Sequence, residues 1–307
     1  MFELIKLDEF FKLILCCPIC KGKLKISQDG CCCEDCEMFY PAIGKSYDFS
    51  IRRPEYCLSS QFKTWKKIQD GFESLSFRSQ NQNELSYYLD QIDSVKEIYQ
   101  EKFNISGTIL DVGGEQGRLK HFLDLQNPKN QYCCIDPFLK IIQQETEIQS
   151  DFISAYPCLK DPVNFVCGIA ERLPFQSKTF DYVHMRSVLD HFSDPYIAIK
   201  ESYRILKPEG KLLIGLSVTG GKSSLKNISK LSRLHKKLRD QGLWKTTKRV
   251  IHESLKVFSE QKGENDHMFH WQYDDLVDMV KSAGLSIEKI HWQKPPYDHC
   301  VYLCCKR

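Results

Sequence analysis

Four cysteines in two C-x2-C pairs, Cys17 with Cys20 and Cys33 with Cys36, could bring four thiolates to one point. Zinc favours such a tetrahedral sulfur set, and a closed site of this kind is structural, with no open position for catalysis. The spacer "KGKLKISQDG" is expected to form a short hairpin that lays the second pair beside the first. Adjacent Cys16, Cys31 and Cys32 could each replace one of the four ligands. The segment holds few apolar residues, so metal binding would supply much of its folding free energy.

A second group of residues points to a nucleotide-like ligand. "TILDV" reads as a buried parallel strand, and the turn "GGEQG" after it leads into "GRLKHFLDL", whose Leu119, Phe122 and Leu123 have helical spacing. A dinucleotide fingerprint starting at Gly113 would need glycine at 115 and 118, where Glu115 and Arg118 stand. An S-adenosylmethionine (SAM) site asks instead for an acid at the strand end and glycines that let the backbone approach. Asp111, Gly113, Gly114 and Gly117 meet that pattern, with Glu115 as its departure. A carboxylate there must turn from the cofactor's own carboxylate or meet its ammonium. About twenty residues on, "QYCCIDPF" supplies a second strand that ends in Asp136 and Pro137. A carboxylate at that place can accept hydrogen bonds from ribose hydroxyls.

The stretch from Val163 to Gly215 carries "AERLPF", "FDYV", "LDHFSDP" and "RILKPEGKLLI" in order. Over residues 105 to 220 the chain resembles class I SAM-dependent methyltransferases. The resemblance implies an α/β fold, a Rossmann-like, seven-stranded, mostly parallel sheet with helices on both faces and SAM across the strand ends. It also implies that Asp111, Gly113 and Gly117 flank the methionine moiety, Asp136 the ribose and Ala170 the adenine. Met185 and Arg186 would sit near the sulfonium. Ile169 stands where the family often has an acid for the adenine amino group. Glu171 would compensate or face water. Asp190 and His191, after the fourth strand, are candidate general bases, and His267 and His270 would line the acceptor pocket. Residues 10 to 50, through "CPICKGKL", "CEDCEMFYPAIGKSYDF", Tyr40, Pro41 and Gly44, resemble the zinc ribbon of tRNA-methyltransferase activator proteins.

These elements divide the chain into a zinc ribbon (1–52), a helical cap over the cofactor entrance (53–105) and a methyltransferase domain (106–307). A basic helical lid is expected at 221–263. From Lys222 to Lys262 run twelve Lys/Arg and three acids, with apolar stripes that give two amphipathic helices. Such helices suit a substrate lid, an anionic membrane surface or lipid-linked glycan, or RNA. A net charge of +3 in 307 residues gives no global pull toward nucleic acid. Seven of the 15 cysteines crowd between Cys16 and Cys36, unlike a secreted disulfide scaffold, so a reducing, cytoplasmic setting is expected. The enzyme read here transfers a methyl group to O or N of a small-molecule, sugar or lipid-linked acceptor. An RNA methyltransferase is the alternative, and an inactive SAM-binding or scaffolding protein is the alternative of another class.

Overall fold

The computed structural model describes residues 4–50, 65, 84–138, 150–225 and 269–307. The expected cap is described at Trp65 and from residue 84 on. Most of the basic insertion, with His267, lies outside the described residues.

An eight-stranded sheet runs β1 (Ile5–Lys6), β8 (Val163–Cys167), β7 (Gln131–Asp136), β6 (Thr108–Val112), β9 (Phe180–Arg186), β10 (Leu206–Ser217), β12 (Cys300–Lys306), β11 (Ser286–Trp292). The seven strands from β8 to β11 are those expected, and β12 is antiparallel to both of its neighbours. Every residue of β6 and β8 is buried, as a parallel strand covered on both faces requires. The sheet order reverses at β6, with β7 on one side and β9 on the other. Parallel strand tips diverge there, and a ligand crevice is expected.

The helix expected after β6 is one 3-10 stretch, Arg118–Phe122, which ends where Leu123 turns extended. Its N-terminal Gly117 has no side chain to cap the free amides. Helix α1 (Glu9–Leu13) is likewise short, because Ile5 and Lys6 before it are drawn into the sheet edge against Val163 and Asn164. Helix α2 (Leu85–Glu97) and the π-turn Ile98–Lys102 set Tyr88, Val95, Ile98 and Tyr99 inward. Helix α3 is Ser150–Ala155. Helix α4 (Pro195–Ile205) starts at Asp194, whose carboxylate accepts from the Ile197 amide at 3.2 Å, with Pro195 in the first turn. Helix α5 (Tyr273–Ser282) is followed by Gly284 at φ 96°.

The N-terminal four-stranded sheet, β2 (Leu24–Ile26), β3 (Gly30–Cys33), β4 (Phe39–Ile43) and β5 (Ser46–Tyr47), contains the expected hairpin. It shares a core with the main sheet. Phe11 stacks on Phe180, and Phe11, Leu15, Tyr40 and Phe49 join one buried cluster with Leu173, Phe175 and Phe180. Backbone bonds run from Cys16 to Pro174 and from Phe49 to Cys167.

Candidate functional site

The tips of β7, β6 and β9 open on a cavity of about 500 Å³, within the range of small-molecule sites. Asp111, at the end of β6, faces His184 across the β6–β9 ladder. Both of its oxygens are engaged: Oδ1 with His184 Nδ1 at 2.7 Å and Oδ2 with the Tyr132 hydroxyl at 2.7 Å. A carboxylate can only accept, so Nδ1 carries the proton and Nε2 accepts from the Tyr99 hydroxyl at 2.9 Å. Tyr99 packs edge-on against Tyr302, and Arg186 lies beside Tyr302. A buried polar chain thus runs under the cavity from β7 to β12.

The glycine turn is held by close approach. A β-carbon at Gly113 (φ 70°) would meet Val188 at 2.5 Å, and one at Gly114 would meet Asp111 Oδ2 at 2.5 Å. Glu115, at φ 50°, keeps the left-handed backbone that glycine would take more cheaply. Its amide donates to Asp136 at 3.1 Å, and its carboxylate is paired with Arg118 at 2.6 Å along the cavity wall. Asp136 also accepts from the Phe138 amide at 2.8 Å. Burial, reinforced by the charge of Glu115, pushes the Asp136 carboxyl up to about 7 against the pull of those two amides.

Asp111, Gly113, Gly114, Asp136, Pro137, Ala170, Glu171, Arg186 and His191 all line the cavity. Gly117, Met185 and Asp190 are not among its lining residues. Gly117 (φ 88°) packs beneath the turn, where a β-carbon would meet Val163 at 3.2 Å, and Met185 is fully buried in the core. Strand alternation explains Met185: His184 and Arg186 straddle it and point to the other face. Asp190 lies next to the cavity, its carbonyl accepting from the Phe269 amide at 3.2 Å. His270 is exposed and outside the lining. Glu171 does not face water. It is 3% exposed, and its carboxylate accepts from the Ser193 amide and hydroxyl, both at 2.7 Å, and from the Asp194 amide at 3.1 Å. It therefore ties the "AER" turn to the start of α4.

Trp65, Tyr99, Tyr156, His184 and Phe192 also line the cavity without having been singled out from the sequence. Of these only His184 leaves a signal, as a polar residue inside the apolar strand "FDYVHM". Trp65 donates from its indole to the His191 carbonyl at 2.6 Å.

The four cysteines Cys17, Cys20, Cys33 and Cys36 converge, with their sulfurs all within 4.8 Å of one another. Cys17 and Cys36 lie 3.6 Å apart, and Cys20 and Cys33 3.3 Å apart. A zinc ion with four thiolates sets sulfurs about 3.8 Å apart, so the donor set fits that metal. The two turns repeat one geometry. Lys21 and Glu37, each just past the second cysteine, have positive φ and donate backbone bonds to Cys17 and Cys33. Cys16, Cys31 and Cys32 lie outside the cluster, and burial pushes the Cys16 and Cys31 thiols up to about 11 and about 12.

Residues 110–214 match the family model described as "Methyltransferase domain". That stretch runs from β6 to β10 and holds every strand tip of the cavity. The chain is 32% identical over 110 residues to the ubiquinone/menaquinone biosynthesis C-methyltransferase UbiE of Rickettsia bellii (strain OSU 85-389), covering 36% of this chain and 44% of that protein. It is 28% identical over 122 residues to the mitochondrial 2-methoxy-6-polyprenyl-1,4-benzoquinol methylase of Caenorhabditis elegans, covering 39% and 40%. The chain thus spans less than half the length of these curated relatives. The solved PH0226 protein of Pyrococcus horikoshii OT3 is 18% identical, over 71% of this chain and 90% of that one, with a TM-score of 0.46. The family match sets the resemblance to methyltransferase domains on the strands that carry the cavity.

Proposed function

We propose that the protein is a SAM-dependent methyltransferase acting on a small-molecule acceptor, with a structural zinc ion in its N-terminal domain. One observation carries this reading: two acids on adjacent strand tips, Asp111 and Asp136, open on one cavity whose glycine turn admits close backbone approach. Asp136 would hold the ribose, and the Gly113–Gly114 turn and Asp111 the methionine half. The Ile169–Ala170 backbone would meet the adenine. When bound, SAM supplies an activated methyl group on a cationic sulfur.

The remaining work falls to the chain. Trp65, Phe138 and Phe192 would exclude water, and the rigid strand tips would fix the acceptor in line with the transferred methyl. His191 lies on the wall as a candidate base. Oxygen or nitrogen is the acceptor atom read from the sequence, and the name of the Rickettsia bellii relative adds carbon. Cys17, Cys20, Cys33 and Cys36 would hold the zinc, whose role is to fold the domain.

Equilibrium dialysis with methyl-labelled SAM tests the reading. One equivalent should be retained per chain and displaced by S-adenosylhomocysteine. No retention by folded, zinc-loaded protein would overturn it.

A further inference from the structure

Arg186 lines the cavity at the end of β9, on the opposite side of β6 from Asp136. Among the described residues its partners are phenols. Tyr302, Tyr99 and Tyr156 lie close to it, and among the described residues no carboxylate pairs with it. The acids of the cavity are committed elsewhere: Asp111 to His184, Glu115 to Arg118, Glu171 to Ser193 and Asp136 to backbone amides. A guanidinium held against phenols at a ligand cavity is a standing site for an anion. A proton acceptor lies beside it. Tyr99 reaches the cavity with its hydroxyl on His184 Nε2, and Asp111 holds the other ring nitrogen.

We propose that Arg186 and Tyr99, with the buried Tyr302 packed behind them, seat an ionisable hydroxyl of the acceptor, a phenol or enol taken up as its anion, and that His184 receives the proton through Tyr99. This rests on the methyltransferase reading and names the acceptor class within it. A carboxylic acid would arrive already ionised and would leave the Tyr99–His184–Asp111 chain without a task. The aromatic walls at Trp65, Phe138 and Phe192 suit a ring.

The step balances. The acceptor O–H bond breaks with its electron pair left on oxygen, its proton passing to Tyr99 as the Tyr99 proton moves to His184. The anion's electron pair then forms the bond to the methyl carbon, at oxygen or at the conjugated ring carbon, and the S–CH3 pair returns to sulfur as a neutral thioether. Methylation at carbon releases that carbon's hydrogen as a proton, which restores the hydroxyl. His184 faces Asp111 on β6 and Tyr99 on the π-turn, and around that pair stand Tyr132 on β7, Arg186 on its own strand and Tyr302 on β12. The Asp111 carboxylate, 2.7 Å from the other ring nitrogen, lies beside the charge received by His184.

The test is a titration of the zinc-loaded, S-adenosylhomocysteine-saturated full chain with 4-nitrophenol, whose anion absorbs in the visible. The bound probe should be the phenolate at a pH where the free probe is mostly neutral. Calorimetry in buffers of different ionisation heat should then find close to zero protons released, because His184 keeps the proton. Arg186→Met should weaken probe binding roughly ten- to a hundredfold, as expected for a bond to a charged group. His184→Gln should leave the bound probe neutral or release about one proton per probe. The Arg186→Met change should leave unaltered the ratio of affinities for S-adenosylhomocysteine and methylthioadenosine, which lacks the carboxylate. A collapse of that ratio means that Arg186 grips the cofactor's carboxylate, and the proposal is overturned. A bound probe that stays neutral in the unsubstituted protein overturns it as well. Failure of S-adenosylhomocysteine itself to bind defeats the methyltransferase reading; its binding with no phenolate signal defeats this inference alone.

Discussion

Lys21 of the cysteine domain reaches Glu201 of helix α4 at 2.6 Å, and the same ammonium donates to the Leu173 carbonyl. Glu201 also accepts from the Leu173 amide at 3.0 Å and pairs with Arg204. Leu173 directly follows the turn that carries Ala170 and Glu171 into the cavity. Lys21 holds left-handed backbone because it closes the Cys17–Cys20 turn. The cysteine turn and the cavity wall are therefore two residues' reach apart.

Replacing Lys21 by methionine should destabilise the whole protein by about 2 kcal/mol, since it leaves the half-buried Glu201 short of a charged partner. Denaturant unfolding measures this. A change below about 0.5 kcal/mol would mean that the contact adds nothing.

Zinc content should be one per chain. Cys33→Ser should lose the metal and lower the melting temperature, whereas Cys31→Ser should keep it, because the Cys31 sulfur lies outside the cluster. Metal analysis of purified variants decides between them. Equal metal loss from both would mean the wrong four sulfurs.

Asp136 gives a pH dependence with a definite sign. Its folded-state value, near 7, is above that of an unfolded aspartate, because burial disfavours the ionised form relative to the neutral acid. Its contribution to the stability of the ligand-free protein is complete below about pH 4 and is lost as pH rises through 7. Ribose hydroxyls donate to the ionised form, so S-adenosylhomocysteine affinity should rise through the same range, by up to about tenfold per unit below 7. Glu115→Gln removes one of the charges that raise Asp136, and should move the midpoint to lower pH. Calorimetry from pH 5.5 to 8.5, as about five points, follows both effects. An affinity flat across that window contradicts this account of Asp136.

Much of this site was legible in the sequence because its chemistry sits where strands end. Asp111 and Asp136 close runs of buried apolar residues, and Gly113 and Gly114 follow directly, so their order along the chain implies their place at the rim. Legibility stopped where facing and distance decide. Met185 and Arg186 are sequence neighbours on opposite faces of β9, and Gly117 serves the packing under the turn. Glu171, read as a cofactor contact or a solvated acid, is a clamp between two segments. Trp65, Tyr99 and Tyr156 reach the cavity from separate elements, and no local spacing links them. Of the acceptor-side histidines, His191 lines the cavity, His270 is turned outward, and His267 lies outside the described residues.

Calorimetric titration with S-adenosylhomocysteine, comparing the unsubstituted chain with Asp136→Asn, tests most directly whether acids at neighbouring strand tips hold the cofactor. The expected result is one site per chain, weakened about tenfold or more by the substitution, since a charge-assisted pair of hydrogen bonds is lost. Equal affinity in the two proteins, or no heat in either, would contradict it.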